Sequence, residues 1–426
     1  MARALTPQDA HAIVNLILAE MTGQDGSITT VNSSNFVSVG ETIWQYGTEN
    51  VYNSIGLVMG KTLVASRPYL AKLNIINAIS SGMYTSRLRK ISFFERPAVA
   101  SGAFNTQLYT NLADGFDNGE NPNGGGTPQS TKDQWEQHQS YPLELNFAGS
   151  STWQYCITLY EDQWKNAFNS EQDFLRVWSG ALTEHANTIE QGKEAFTRMT
   201  LCNFMAGIYD MRNAGCTAIN LTTEYNNKYN YGGTPDTTAD LLTTKYDKFL
   251  AFFVAEFKKY SKLMTERSTM FHNYPTKTDA AGNTLHLMRH TPYDKQRVIL
   301  YEPMFIDAEA QVLPAIFNPQ YLDIDRQYEG VMYWQDIKNN NGFGLDYTPA
   351  IPNFTTGTQQ AGNNVALSNV VGLLYDEDAL MVDFQLDSAT TTNLEARKRF
   401  RNEWLTINKN SINDFTENAI LFYMAD

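Results

Sequence analysis

Residues 56–62, GLVMGKT, hold the letters of a phosphate-binding loop: two glycines followed by Lys61 and Thr62. In such a loop the backbone amides cradle phosphate, the lysine reaches the outer phosphates and the hydroxyl holds magnesium. The motif needs four residues between its glycines, and only three separate Gly56 from Gly60. The preceding TENVYNS is too polar for the buried strand that leads into such a loop. Farther on, VVGLLYDED at 370–378 reads as an apolar strand ending in acids, the pattern of a Walker B strand. Because the first loop would not close around a phosphate, an ATPase is the remote alternative.

Other chemistry-bearing residues also fail on spacing. His286 and His290 lie four apart, as zinc ligands on a helix do, but their surroundings read as strand and turn and no third ligand is at hand. The acids around Asp117 lack the ligand spacing and closing glutamate of a calcium loop. Cys156, Cys202 and Cys216 make no CxxC pair and read as reduced core thiols. GxSxG, HExxH, a glycine-rich dinucleotide turn and a Cys–His couple are all missing. The expectation is a non-enzyme with no catalytic, cofactor or metal site.

Bulk properties narrow the class further. The formal net charge of −14 argues against a nucleic-acid reader, which needs a basic stripe. Charged residues are only 18% of the chain, so much of the surface must be uncharged polar or covered by neighbours. At 426 residues the chain can bury a sizeable core, divided into two or three subdomains. No apolar run approaches the roughly 18 residues of a membrane span. His11, Asn15 and Glu20 interrupt any signal-peptide core, so a soluble, cytosolic product is expected.

The elements must therefore carry the argument, and the longest is at 171–213. Phe174, Trp178, Leu182, Ile189, Phe196 and Met199 recur at helical spacing, and no proline interrupts them. Fully helical, this run is about 60 Å long, a strut on which sheets are laid. Asn187–Thr188 and Gly192 are where it would break, and Asn213-Ala214-Gly215 is where it stops. An earlier helix starts at Thr6-Pro7-Gln8-Asp9, carries Ala10, Ile13, Val14, Ile17, Leu18 and Met21 on one face, and ends at Thr22-Gly23. Residues 24–40 read as an extended polar arm, and 41–83 mix helical and extended patterns.

Residues 84–152 read as a long excursion. Arg87, Arg89 and Lys90 open it, Phe93 and Phe94 follow, and its middle at 114–129 is too rich in Gly, Asn and Pro for regular structure. LELNFAGSSTWQYCITLY then returns with strand composition. Such a loop makes sense if it lies on another molecule. Beyond the long helix, 216–240 reads as extended, with a turn at 232–235. A helix is expected over 238–265 with Tyr246, Phe249, Phe253, Phe257, Tyr260 and Met264 as its stripe. A hairpin turning at 281–283 leads to the buried strand RVILYE, a short helix at 307–317, and loops with short strands over 318–368. From Val370 the chain reads as strand, acidic turn, strand, with further strands at 397–408 and 419–424, so the last residues enter a core.

In this order the chain resembles the major capsid proteins of tailed phages, the HK-97-like fold, most closely those of short-tailed phages of the phi-29 type. DAHAIVNLILAEMTG and VGETIWQYGTENVYNSIGLVMGKTLVASRPYLAKL resemble the arm and its lead-in. FAGSSTWQYCITLYEDQWKNAFNSEQDFLRVWSGALTEHANTIEQGKEA resembles the end of the E-loop and the spine helix. DKQRVILYEPMFIDAEAQVLPAIFNPQYLDID resembles the axial domain, and VVGLLYDEDALMVDF with FRNEWLTINKNSINDFTENAILF the closing strands.

The resemblance implies an α+β fold with an N-terminal arm and lead-in at 1–83 and an E-loop at 84–152. A peripheral domain with the spine helix follows at 153–220, an axial domain at 221–366, and closing strands at 367–426. It implies assembly into an icosahedral or prolate shell in the virion, with synthesis in the host cytoplasm. Identical subunits would be the partners, joined by scaffolding, portal and decoration proteins, around DNA that the wall encloses without specific binding. No cofactor and no membrane would be involved. The E-loop would lie across a neighbour, with Phe93, Phe94 and Phe104 as apolar anchors and Arg87, Arg89 and Lys90 meeting carboxylates. Phe174, Trp178, Leu182, Ile189 and Phe196 would be the core of the spine helix. An encapsulin-like compartment shell is the alternative of the same fold.

Overall fold

The structure, a computed structural model, describes residues 7–22, 31–45, 73, 76–79, 87–95, 140–148, 151–160, 170–230, 232–278, 284–304, 306 and 328–426. The expectations for 56–62, 104, 114–129, 281–283 and 307–317 fall outside these residues, as do those for the side chains of Met21, Arg87, Trp178 and Leu182.

Helix α1, Pro7–Thr22, buries Ala10, Val14 and Ile17 completely, as its stripe requires. The polar arm expected over 24–40 is instead partly helix: α2 spans Phe36–Gln45. The Asn32 side chain accepts from the backbone of Ser34 and Asn35 at 3.0 and 3.2 Å, which turns the chain into it. Phe36, Val39 and Ile43, spaced three and four apart, then face the core.

Two strands come next, β1 (Asn77–Ile79) and β2 (Arg87–Phe94). Strands β3 (Tyr141–Ala148) and β4 (Ser151–Tyr160) follow. Helix α3 then runs unbroken over Glu171–Asp210. It passes through Asn187–Thr188, both exposed, without a break. Gly192 is kept small by packing: a Cβ there would stand 2.2 Å from the Tyr155 hydroxyl. Phe174, Ile189 and Phe196 are buried, but Met199 is 45% exposed and leaves the stripe. The stop at Gly215 is as expected, with a left-handed φ of +110° that favours glycine.

The stretch 216–240, expected to be extended, is strand β5 (Thr217–Asn220) followed by helix α4 (Leu221–Tyr229). Asn220 caps that helix by accepting from Thr222 N at 3.1 Å, and Leu221 and Tyr225 are buried beneath it. The single helix expected over 238–265 is two, α5 (Thr238–Leu242) and α6 (Tyr246–Thr265). The hydroxyls of Thr243 and Thr244 bond back to the carbonyls of Ala239 and Asp240 and end the first. Phe249, Phe253, Phe257 and Met264 are fully buried along α6, with Tyr246 and Tyr260 at the border of the core.

The remaining strands are short until the C-terminal region. They are β6 (Lys277–Thr278), β7 (Thr284–Leu285), β8 (Gln296–Tyr301) and β9 (Tyr328–Val331). Then come β10 (Leu345–Tyr347), β11 (Ala350–Asn353), β12 (Thr358–Ala361) and β13 (Val365–Leu367). The longer β14 (Asn369–Asp376), β15 (Leu380–Thr391), β16 (Phe400–Asn413) and β17 (Ala419–Met424) close the chain.

Among the described residues these make a five-stranded sheet, β5-β17-β14-β8-β9, and a four-stranded sheet, β1-β15-β16-β4. The last 60 residues feed both sheets, so the closing strands interleave with earlier segments. Helix α3 joins the two layers. Its Ile189 packs on Leu405 and Ile407, and Phe196 meets Phe384 of β15 at 5.8 Å. Nearer its C-terminus, Phe204 stacks on Phe415 at 5.1 Å. Helix α6 covers β17 by surrounding Phe422 with Phe253, Phe257 and Tyr260 at 5.9, 5.7 and 6.0 Å. Each such phenylalanine contributes about 1.5–3 kcal/mol of apolar burial.

Candidate functional site

The feature not explained by the core is the hairpin β2–β3. Its strands pair antiparallel from Arg87↔Ala148 to Phe94↔Tyr141, so the excursion does go out and come back as a ribbon. Period-two alternation divides it into two faces. Arg89, Ile91 and Phe93 point outward; Ile91 is 48% and Phe93 59% exposed. Arg89 pairs with Glu144 across the ribbon at 2.8 Å, beside exposed Pro142 and Asn146. Lys90, Ser92 and Phe94 point inward.

The inward face is tied down by a polar cluster. Lys90 Nζ lies 2.6 Å from Asp414 Oδ2 and 2.6 Å from Glu417 Oε1. Burial pulls the ammonium's pKa down, but Asp414 and Glu417 outweigh it and hold it above its ordinary value. Burial likewise pushes the Glu417 carboxyl up, against the pull of Lys90 and Arg289. Arg289 donates to Ser92 Oγ at 2.7 Å, pairs with Glu417 at 3.1 Å and donates to the Thr416 carbonyl. Asp414 also accepts from Thr416 N and Oγ1. A second set of bonds begins at the next residue of the turn: Asn418 bonds His272 at 3.0 Å and donates to Thr291, whose hydroxyl donates to Asp376 at 2.8 Å. Burial lowers the His272 pKa to about 4, so this imidazole is neutral. Phe94 adds an apolar contact with Leu285 and Leu287.

The sequence-derived residues thus divide. Arg89 and Phe93 lie on the outward face, whereas Lys90 and Phe94 anchor the hairpin to its own chain. Phe174, Ile189 and Phe196 are core. Ile91 was legible in RLRKISFF as the middle of the outward alternation. Arg289, Asp414 and Glu417 carried no local signal, because their meeting depends on the fold.

The supposed chemistry is otherwise occupied. Asp376, at the end of β14, accepts from Thr291 and from Asp378 N, and Glu377 pairs with Lys295 and Arg297. These contacts secure the turn after β14. His286 bonds the Tyr274 hydroxyl at 2.9 Å, and the described residues hold no cluster of metal-ligating side chains. Cys202 and Cys216 are buried, which pushes both thiols to about 12 and leaves them inert. Cys156 is exposed, contrary to the expectation of a core thiol, because it lies on the outer face of β4. A groove of about 910 Å³ runs between α3 and β9. Its Arg198 is spent on Glu194, the carbonyl of Trp334 and the ring of Tyr333. No described helix is long and apolar enough to cross a membrane.

No family model and no curated protein matches the chain in sequence. Solved structures do match in the course of the backbone. The capsid structure of Staphylococcus phage Andhra covers 84% of this chain and 84% of its own at 8% identity, with a TM-score of 0.47. A structure of the head fiber and inner core protein gp22 of native bacteriophage P68 covers 84% of this chain and 87% of its own, at 8% identity and a TM-score of 0.46. The capsid of Myoviridae phage XM1 covers 82% and 90%, at 11% identity and a TM-score of 0.39. Two of the three are phage capsids. At such identities no side chain of the hairpin has a counterpart fixed by them.

Proposed function

We propose that this chain is the major capsid protein of a tailed phage, a non-enzymatic shell subunit of the HK-97-like fold. The observation that carries the reading is the hairpin β2–β3. It is clamped to its own subunit on one face and presents Arg89, Ile91 and Phe93 to the outside on the other. A lone globule has no use for a ribbon with bare isoleucine and phenylalanine; a tile that meets copies of itself does. The order of elements supports the same reading: arm, hairpin, 40-residue helix, second sheet, returning strands.

On this reading the hairpin is the base of an E-loop that lies across a neighbouring subunit. Residues 1–83, 84–152, 153–220, 221–366 and 367–426 are the arm, E-loop, peripheral, axial and closing segments. Each contact is weak, and repetition around a closed shell sets the strength. The net charge of −14 fits a wall that encloses DNA without binding it. Scaffolding, portal and decoration proteins are further partners, and phi-29-type phages the nearest kin.

Deleting residues 105–135 tests the proposal. The subunit should remain folded and soluble but form no complete shells. Normal particles from that deletion would remove the hairpin from assembly.

A further inference from the structure

Strand β4 is an edge of the four-stranded sheet. It pairs with β16 through all ten residues, from Ser151↔Lys409 to Tyr160↔Phe400, without a register shift. Among the described residues no strand lies on its other side. The pleat turns the N–H and C=O groups of about every second residue away from β16, over a length of about 34 Å.

Free edges of this length are normally guarded by lysine, proline, a bulge or an inward charge. STWQYCITLY has none of these. Its partner β16 carries Arg401, Glu403 and Lys409, the last with its ammonium over the Trp153 ring on the inner face at 4.3 Å, whereas β4 itself has no charged residue. Thr152, Gln154, Cys156, Thr158 and Tyr160 are exposed on the outer face, and even Trp153, on the inner face, is 49% exposed. The threonine hydroxyls are directed sideways, Thr152 to Asn408 and Thr158 to Asn402, each at 2.8 Å. Among the described residues the outward backbone groups of β4 have no strand to pair with.

We propose that β4 pairs antiparallel with β4 of a second copy, joining two four-stranded sheets across a two-fold axis. The uncharged edge permits this occupant, and two-fold self-complementarity favours it. Each chain carries a net −14, so two copies repel over most approaches. A ten-residue strip with no charge lets them meet without setting like charges opposite each other. An antiparallel strand pair is also self-complementary, the requirement of a closed two-fold contact. As a dimer contact the pairing stands by itself; as a joint between shell subunits it rests on the capsid reading.

A proline scan over 153–158 of the full chain tests it, read by melting temperature, sedimentation and negative-stain microscopy. The effect should alternate. Proline where the N–H faces β16 lowers the melting temperature. Proline where it faces outward leaves melting close to wild type but shifts the dimer dissociation constant at least tenfold and depletes particles. The double variant Gln154→Lys with Thr158→Lys, on exposed side chains, should fold normally and fail in the same way.

If outward prolines and the lysine pair leave self-association unchanged, the pairing is wrong, whether the wild type forms shells or not. If the wild type forms only dimers and these variants dissolve them, the pairing stands and the shell reading falls. A wild-type chain that stays monomeric at high concentration while an added extended peptide binds along β4 would overturn the choice of occupant.

Discussion

Lys90 and Asp414 lie 2.6 Å apart although 324 residues separate them. The contact fixes the hairpin to the turn between β16 and β17, and Asp414 is almost wholly buried there, its side chain 1% exposed. Replacing Lys90 by Met leaves Asp414 and Glu417 with Arg289 alone for compensation. Breaking a buried pair costs about 3–5 kcal/mol. We expect the lower end for Lys90→Met in denaturant unfolding, because Lys90 itself is 25% exposed. The folded-state pKa of Lys90 is raised, so its stabilisation is full below the ordinary lysine value and is lost as pH climbs through the folded value. The variant should therefore differ least from wild type in strong alkali. A variant as stable as wild type at neutral pH would show that the pair does not anchor the hairpin.

Phe93 makes the complementary case. It is 59% exposed, so Phe93→Ser should change unfolding free energy by no more than about 0.5 kcal/mol. Self-association, measured by sedimentation, should weaken at least tenfold. Equal association of variant and wild type would leave the outward face without a role.

Gly192 and Tyr155 are coupled by space. A Cβ at Gly192 meets the tyrosine hydroxyl at 2.2 Å but its ring carbon Cζ only at 3.2 Å. Gly192→Ala should cost about 1–3 kcal/mol by overpacking. In Tyr155→Phe the same change should cost clearly less, since the offending oxygen is gone. Additive effects in the double-mutant cycle would contradict the packing account.

Glu403 gives a pH signature. Burial raises its carboxyl to about 7, and among the described residues its Oε1 has no hydrogen-bond partner. A carboxyl whose folded pKa is raised binds more protons when folded, so its stabilising contribution is lost as pH rises from about 4.5 to 7. His272, lowered to about 4, acts in the opposite sense, adding stability as pH rises from 4 to 6.5. The two partly cancel in the wild type. Glu403→Gln should therefore gain on wild type as pH rises from 5 to 8, by about 3 kcal/mol at most. A constant difference across that range would show that folding leaves the Glu403 carboxyl at its ordinary pKa.

These sites also show what was legible in the sequence. The 40-residue helix, the stripe of α6, the strands β14 and β17 and the out-and-back hairpin all announce themselves through period and composition. Helix α2 did not, because polar Asn32 to Asn35 mask a stripe of only three residues. Helix α4 was hidden by a run of Thr and Asn whose capping role appears only when Asn220 turns its side chain onto Thr222. Phe93 and Phe94 are neighbours of equal hydrophobicity, so only pairing register assigns one to the outside and the other to the core. The cluster of Lys90, Arg289, Asp414 and Glu417 joins three distant segments, and nothing local to any of them foretells it.

Negative-stain electron microscopy of the purified full chain, at concentrations that favour association, tests the central claim most directly. The account predicts closed shells of uniform diameter. Single compact particles under every condition of salt and concentration would contradict it.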